Sequence, residues 1–170
     1  MIRVEVIGLA IDLRQQPVIL LKPIDDPVRA QKVMPVWIGS QEAASILAAV
    51  QGTAVERPLS HDLMASLLRA TDSRVERVAI PRLSEDTFYA EIDLVTPAGS
   101  ETLDARPSDA IALASRVGAP VWVADDVFDE VGVETEVQDD DEEAEIAEFR
   151  EFVEQVEPED FKIDPDDDRA

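Results

Sequence analysis

The stretch "DARPSDAIALASRVGAPVWV", residues 104–123, contains the start and end of one helix and the strand that follows it. Pro107 suits the first turn of a helix, because an N–H at that position would have no intrahelical partner. The apolar run continues through Ala114, and Gly118 is typical of a helix end. "APVWVA" then predicts a short strand. The stretch therefore predicts a helix that begins among charged residues and leads into a buried strand.

Most of the predicted strands lie in hairpins. Two alternating segments flank the polar turn "RQQP", and two more flank "TPAG", so each pair predicts a hairpin. The two-residue period is clearest from Phe88 to Val95. The predicted strands are 3–11, 17–21, 32–39, 75–81, 88–95, 100–105 and 119–124.

Two further helices are predicted upstream of the opening stretch. Ser40 is the candidate cap of the first, and Gly52 ends it. Ser60 is the candidate cap of the second. The predicted buried stripe of that second helix comprises Leu63, Met64, Leu67 and Leu68. Hairpins mixed with separate helices indicate an α+β fold, with a mixed or antiparallel sheet and about three packed helices.

The net charge of −23 comes mainly from the C-terminal part of the chain. Of the 38 acidic residues, 22 lie from Asp125 onward, which leaves 16 acidic and 12 basic residues in the first 124. We expect one domain over residues 1–132 and an acidic segment over 133–170, with an amphipathic helix at about 141–156 and a flexible tail. The sequence has no cysteine and no long apolar run, so we expect a cytoplasmic protein without disulfides or membrane spans.

Two helix starts, "RPLSHD" and "ARPSD", each combine an arginine, a proline, a serine and an acid. A helix N-terminus attracts anions, because its first amides are unpaired and lie at the positive end of the helix dipole. The arginine forks suit phosphate. The candidate phosphate-binding residues are Arg57, Ser60, Arg106 and Ser108. An ordinary capping or loop-bracing role for the same residues stays open.

Other side chains near these starts could carry chemistry. The acids Glu42, Asp62, Asp104 and Asp109 are candidate ligands for Mg²⁺ or Mn²⁺, which assist phosphodiester cleavage, although their spacing alone does not show that they converge. His61 is the only histidine, and histidine is the residue type whose charge ordinarily changes near neutral pH. Trp37 and Trp122 lie in apolar strands and are predicted to be core residues rather than base-stacking platforms. The motifs of P-loop, dinucleotide-binding, zincin and nucleophile-elbow enzymes are absent from the sequence.

Four motifs resemble, in order and spacing, the bifunctional nuclease family: "MPVWIGSQEAASI", "RPLSHDL", "FYAEI" and "DARPSDAIALASRVGAPVWV". The resemblance extends over roughly residues 2–130. It implies an α+β fold that self-associates and hydrolyses both RNA and DNA, so the expected partners are a nucleic-acid substrate and further copies in a dimer or trimer. The positions that match the family's motifs are Glu42, Arg57, His61, Asp62, Asp104, Arg106, Ser108 and Asp109.

On this resemblance, our hypothesis is a metal-assisted nuclease without an organic cofactor. Its catalytic residues would be His61, Asp62, Arg106 and Asp109. Arginines would stabilise the charge that grows on the scissile phosphate, and His61 would act as general base or acid. The alternatives are a non-catalytic nucleic-acid- or protein-binding regulatory module and an oligomer with a purely structural role. The acidic tail would either occupy the site as a phosphate mimic or serve as a solubilising tether.

Overall fold

A computed structural model describes residues 1–53 and 56–134 of the chain. The strands there are β1 (Ile2–Ile11), β2 (Pro17–Pro23), β3 (Lys32–Trp37), β4 (Arg74–Ser84), β5 (Thr87–Thr96), β6 (Gly99–Ala105), β7 (Val121–Val123) and β8 (Val133–Glu134). The helices there are α1 (Ser40–Val50), α2 (Ser60–Ala70), α3 (Pro107–Val117) and α4 (Asp125–Val131). The α+β prediction is therefore confirmed, with α4 as a short additional helix.

One mixed sheet unites the eight strands in the order β6-β5-β4-β7-β1-β2-β3-β8. Both predicted hairpins form, as the antiparallel pairs β1–β2 and β5–β6. In the turn of the first, the Asp12 carboxylate accepts the backbone N–H groups of Arg14 and Gln16. A third hairpin joins β4 to β5 through Glu85 and Asp86, which both adopt positive φ as a two-residue hairpin turn requires.

The sheet is mixed because β7 pairs in parallel with β4 and antiparallel with β1. The chain leaves β4, forms β5 and β6 at one edge, and returns through α3 to place β7 in the middle. Gly118 ends α3 in the left-handed conformation, with φ of 70°, as its place in the sequence predicts. The opening stretch of sequence therefore connects the edge of the sheet to its centre.

Helix α3 lies in the core and contacts α1, α2, β4 and β5. Five consecutive residues in its middle, from Ala110 to Ala114, are buried. Three of the five are alanines, whose small side chains let neighbouring elements approach closely. Since α3 has no exposed face over this length, polar side chains are confined to its two ends.

The predicted buried stripe of α2 is wrong for Leu63, Met64 and Leu67, whereas Leu68 is half-buried. Leu63 and Leu67 are each 55% exposed and Met64 is also exposed, whereas His61 and Ala65 are buried. Helical spacing groups the leucines on one face but cannot say which face meets the core. The opposite face of α2 packs on α3, so an apolar surface on α2 faces solvent.

The core prediction for Trp37 is also wrong, because its side chain is 53% exposed. Successive residues of a strand point to opposite faces of a sheet. Val36 takes the inward position in β3 and Trp37, the last residue of the strand, takes the outward one. Trp122 is half-buried in β7.

Near the predicted domain boundary, Val133 and Glu134 pair with β3, so the sheet extends beyond residue 132. The predicted amphipathic helix at about 141–156 lies outside the described residues. Among the helices of residues 1–53 and 56–134, none is long and apolar enough to cross a membrane.

Candidate functional site

Three helices bring their first turns together. Glu42 lies in the first turn of α1 and His61 in that of α2, while Arg106 precedes α3 and Asp109 lies in its first turn. The Arg106 guanidinium lies 3.0 Å from Glu42 Oε1, and His61 Nε2 lies 3.1 Å from Asp109 Oδ1. The structure thus joins four of the residues that the sequence singled out.

Arg106 and Asp109 form a two-pronged ion pair. Arg106 Nε donates to Asp109 Oδ2 at 2.7 Å, and Nη2 donates to Oδ1 at 3.1 Å. The Arg106 side chain is nevertheless 66% exposed, so the guanidinium stays accessible to an incoming anion. Its hydrogen bonds, helped by the one from His61, hold the pKa of the Asp109 carboxyl below its usual value.

His61 is buried and both its ring nitrogens are engaged. Nε2 faces Asp109, and Nδ1 lies 3.0 Å from Ser45 Oγ on α1. An ionised carboxylate only accepts hydrogen bonds, so the proton of the neutral ring belongs on Nε2. Nδ1 then accepts from the Ser45 hydroxyl. In this arrangement His61 orients Asp109 rather than offering a free nitrogen to a substrate.

The sequence reasoning missed Ser45 and Arg116. Arg116 Nη2 donates to Ser45 Oγ at 3.0 Å, to the Ser45 carbonyl at 3.1 Å, and Nη1 donates to the Ala112 carbonyl at 3.0 Å. Arg116 lies seven residues after Asp109, about two turns along α3, so both fall on one face of that helix. That spacing was the available signal.

The donors form one chain from Arg116 to Asp109. Arg116 donates to Ser45 Oγ, Ser45 donates to His61 Nδ1, and His61 donates to Asp109. A guanidinium can only donate and a carboxylate can only accept. When the His61 ring is neutral, these two ends fix the direction of the bonds between them. We call Arg116, Ser45, His61, Asp109 and Arg106 the donor chain.

Asp62 stands at the other side of Arg116. It accepts from Arg116 Nε and, at 2.8 Å, from the backbone N–H of Leu59 before α2. The Arg116 guanidinium, together with that N–H, holds the pKa of the Asp62 carboxyl below its usual value. The predicted cap Ser60 is instead the first helical residue of α2, and Asp62 makes the capping bond.

Glu42 folds back over Gly39, the residue before α1. A Cβ on Gly39 would overlap the Glu42 carboxylate. The glycine therefore leaves room for the position from which Glu42 reaches Arg106. Gly39, at which the predicted strand ends, thus also has a role at the site.

Four predicted residues do not join this network: Arg57, Ser60, Asp104 and Ser108. Ser60 is exposed at the start of α2. Arg57 is exposed in the segment before α2, and Asp104 is exposed on β6, opposite Glu91 of β5. Ser108 is only 6% exposed, and its hydroxyl makes no hydrogen bond with the residues that the structure describes.

The predicted metal ligands do not fit a metal ion in this arrangement. Asp62 is paired with Arg116, whereas Glu42 and Asp109 are paired with Arg106, and Asp104 lies elsewhere. Over residues 1–53 and 56–134, no three histidine or acidic side chains form a group that would hold a metal. The carboxylates are charge-compensated by arginines instead, and binding of Mg²⁺ or Mn²⁺ stays a prediction.

An open cleft of about 410 Å³ adjoins the start of α3. We call it the Trp37 cleft. Its walls come from the β1–β2 turn, the end of β3, the β4–β5 turn and the start of α3. The lining residues are Gln16, Val36, Trp37, Ile38, Gly39, Asp86, Thr87, Phe88, Arg106, Pro107 and Ser108. Arg106 thus belongs both to the cleft wall and to the donor chain.

We predict that Asp62→Asn lowers the free energy of unfolding at pH 7 by about 1–3 kcal/mol, because it weakens a charged hydrogen bond and leaves Arg116 uncompensated. The folded-state pKa of Asp62 lies below its ordinary 3.8, so its contribution is complete above that pH and is lost as the pH falls through the folded-state value. The difference between wild type and variant in urea unfolding should therefore shrink below about pH 4.

Asp104→Asn is the matched control, since Asp104 is exposed and outside the network. It should leave the unfolding free energy nearly unchanged over the same pH range. Equal effects of the two substitutions would contradict the role given to the Asp62–Arg116 pair.

Comparison with known proteins identifies the family. The bifunctional nuclease domain family matches residues 19–136. Two proteins from two strains of Mycobacterium tuberculosis, both described as uncharacterized, are 38% identical over 166 residues, which cover 94% of this chain and 97% of theirs. Bifunctional nuclease 2 of Oryza sativa subsp. japonica is 29% identical over 112 residues, 64% of this chain and 33% of the rice protein. The chain belongs to the bifunctional nuclease domain family.

Proposed function

We propose that this chain hydrolyses phosphodiester bonds of RNA and DNA at the start of α3. The observation that carries the proposal is the exposed Arg106 guanidinium, held by Asp109 at the N-terminus of that helix. The name of the rice relative supports the reaction class. The reaction adds water across a P–O bond and yields a phosphomonoester and an alcohol.

Phosphate binding is assigned to Arg106 and the first amides of α3. The first intrahelical bond there runs from the Ala110 N–H to the Arg106 carbonyl. The N–H groups of Ser108 and Asp109 precede it, so they are available to an anion at the positive end of the helix dipole. A phosphate oxygen would compete with Asp109 for the guanidinium fork, which suits either anion.

Asp109 is the proposed general base. Once a phosphate engages Arg106, an Asp109 oxygen is released and can take a proton from the attacking water. His61 keeps the carboxylate oriented through Nε2. The water oxygen bonds to phosphorus while the P–O bond to the leaving oxygen breaks, and that oxygen takes a proton from solvent. Arg106 stabilises the charge that grows on the phosphoryl oxygens.

His61 and Ser45 are positioning residues in this proposal. Ser45 occupies Nδ1 and thereby keeps the His61 proton on the nitrogen that faces Asp109. Arg116 in turn occupies the Ser45 hydroxyl oxygen. The hypothesis from the sequence made His61 the general acid or base. Here Asp109 is the proposed general base, and His61 positions it.

We expect Arg106→Ala to lower nuclease turnover by roughly 10²–10³-fold, as loss of one charge-stabilising donor does. The measurement is cleavage of labelled single-stranded RNA and DNA by highly purified protein. Arg77→Ala is the matched control, because Arg77 also pairs with an aspartate but on the β4–β5 hairpin, and it should cut at the wild-type rate.

The same assay with Mg²⁺, Mn²⁺ or EDTA tests the metal prediction separately. Loss of activity in EDTA would support a divalent ion, whereas full activity in EDTA would exclude one. Cleavage that survives Arg106→Ala would contradict this site. A wild-type protein that binds nucleic acid but never cuts it would favour the non-catalytic binding module.

We predict that Ser45→Ala lowers kcat by about 10–100-fold, the range typical of residues that orient a directly acting group. KM should change less than about twofold, because Ser45 is buried and belongs to the second layer of the proposed site. Ser115→Ala is the control: the Ser115 hydroxyl bonds the Ile111 carbonyl within α3 and lies outside the donor chain. A rise in KM with unchanged kcat would contradict a positioning role for Ser45.

We further propose that the chain forms a dimer or trimer through α2. Leu63, Met64 and Leu67 present an apolar face to solvent, and adjoining exposed apolar residues of this kind mark interaction surfaces. The family resemblance makes a second copy the expected occupant. A cytoplasmic location stays a prediction.

We expect Leu67→Glu to lower the subunit number measured by sedimentation velocity, because it places a charge in the proposed contact. Leu13→Glu is the control, since Leu13 is equally apolar and fully exposed but lies in the β1–β2 turn. An unchanged mass for Leu67→Glu, or an equal loss of mass in both variants, would contradict an interface on α2.

A further inference from the structure

We propose that the Trp37 cleft binds one nucleotide of a single-stranded nucleic acid, with the base stacked on Trp37 and its phosphate on Ser108 and Arg106. This inference rests on the proposed function, because it gives the same Arg106 a recognition role. The substrate class is an unpaired strand, and the residues that select it are Trp37, Ser108 and Arg106.

The first observation is the exposure of the Trp37 side chain. Its large side chain is more than half exposed, although it ends a strand in which Val33, Met34 and Val36 are buried. The indole N–H donates to Asp12 at 3.1 Å, so one edge of the ring is fixed by the β1–β2 turn. Phe88 lines the same cleft from the β4–β5 side. A fixed aromatic ring is a platform for any base, because every base has a π-face.

The second, independent observation is the position of the Ser108 hydroxyl in the cleft. Ser108 lines the cleft and is 94% buried as a residue. Its hydroxyl has no hydrogen-bond partner within residues 1–53 and 56–134 and is not fully buried, so it opens into the cleft. A hydroxyl that opens into a cleft can donate a hydrogen bond to a bound anion. A phosphate oxygen in the cleft would accept from this hydroxyl and also meet the free amides at the start of α3.

The polar residues that line the cleft differ between its α3 end and its other walls. Arg106, Pro107 and Ser108 come from the start of α3, whereas Asp86 comes from the β4–β5 turn and Gln16 from the β1–β2 turn. Only the α3 end combines a positive charge with donors suited to phosphate. Carboxylate and amide groups at the other walls suit the polar edge of a base. The volume, about 410 Å³, lies within the usual range of roughly 300–1,000 Å³ for small-ligand sites.

This stacking arrangement selects single strands. In a duplex both faces of each base are covered by neighbouring bases, so a base reaches an indole only when it is unstacked. We therefore expect the cleft to bind an unpaired oligonucleotide and to reject a duplex of the same length.

Two tryptophans in the whole sequence permit a clean fluorescence test. Trp122→Phe leaves Trp37 as the sole reporter, and Trp37→Phe leaves Trp122, which lines a different cavity beside Ile2 and Asp125. Each variant is titrated with a phosphorothioate oligothymidylate, which resists cleavage, and with a duplex of equal length. We expect the single strand to quench the Trp37 signal to saturation and to leave the Trp122 signal unchanged.

Affinity gives a second readout. In fluorescence anisotropy with the labelled oligothymidylate, Trp37→Ala should weaken binding by about 5- to 100-fold, the change that corresponds to losing one stacked base. The quenching arm retains Trp37, so it stays informative even if Trp37→Ala folds poorly.

The outcomes separate this inference from the proposed function. Quenching of Trp37 together with weaker binding by Trp37→Ala supports the cleft, and if no substrate is cut, the nuclease proposal alone fails. A wild-type protein that cuts single strands without any change in Trp37 fluorescence overturns the cleft and leaves the nuclease proposal standing. Equal quenching by the duplex overturns the selection of single strands.

Discussion

The buried charge of Arg116 is the constraint on which the arrangement of the three large helices depends. Its side chain is only 7% exposed, and an unpaired charge at that depth would cost several kcal/mol. The guanidinium is satisfied by Asp62 of α2, by the carbonyl and hydroxyl of Ser45 on α1, and by the Ala112 carbonyl of its own helix. The three helices must therefore keep their mutual positions, or Arg116 loses its partners.

The same constraint extends to the candidate site. Because Asp109 accepts from His61 Nε2 and Arg116 donates to the Ser45 hydroxyl oxygen, the Ser45 proton points to Nδ1 of the neutral His61 ring. One series of hydrogen bonds thus connects a residue at the C-terminal end of α3 with a residue in its first turn. The alanine-rich middle of α3 permits this, since close packing brings α1 and α2 within reach of both ends.

Features encoded by neighbouring residues could be predicted from the sequence. Pro107 and Gly118 mark the ends of α3, and turn residues between alternating segments mark the hairpins, because each signal acts within a few residues. The β4–β7 pairing and the solvent-exposed face of α2 depend on which distant surfaces meet. Local spacing does not contain that information, so the buried stripe of α2 was assigned to the wrong face.

The candidate site was predictable in part for the same reason. His61, Arg106 and Asp109 stand out because charged residues crowd the helix starts. Ser45 lies among alanines, an isoleucine and a leucine, and Arg116 resembles an ordinary basic residue of a last helical turn. Their roles emerge only when α1, α2 and α3 are packed together. The notable local signal was the shared face of Asp109 and Arg116 along α3.

The charge distribution argues that recognition at this site depends on local contacts rather than on a general attraction for nucleic acid. The first 124 residues carry slightly more acidic than basic side chains, so they lack the broad positive surface that drives non-specific binding. Around Arg106, two carboxylates already oppose one guanidinium. A phosphodiester must therefore displace a carboxylate, and it needs compensation from contacts that are not electrostatic. Stacking on Trp37 would supply that compensation, and the dependence of binding on salt would be correspondingly shallow.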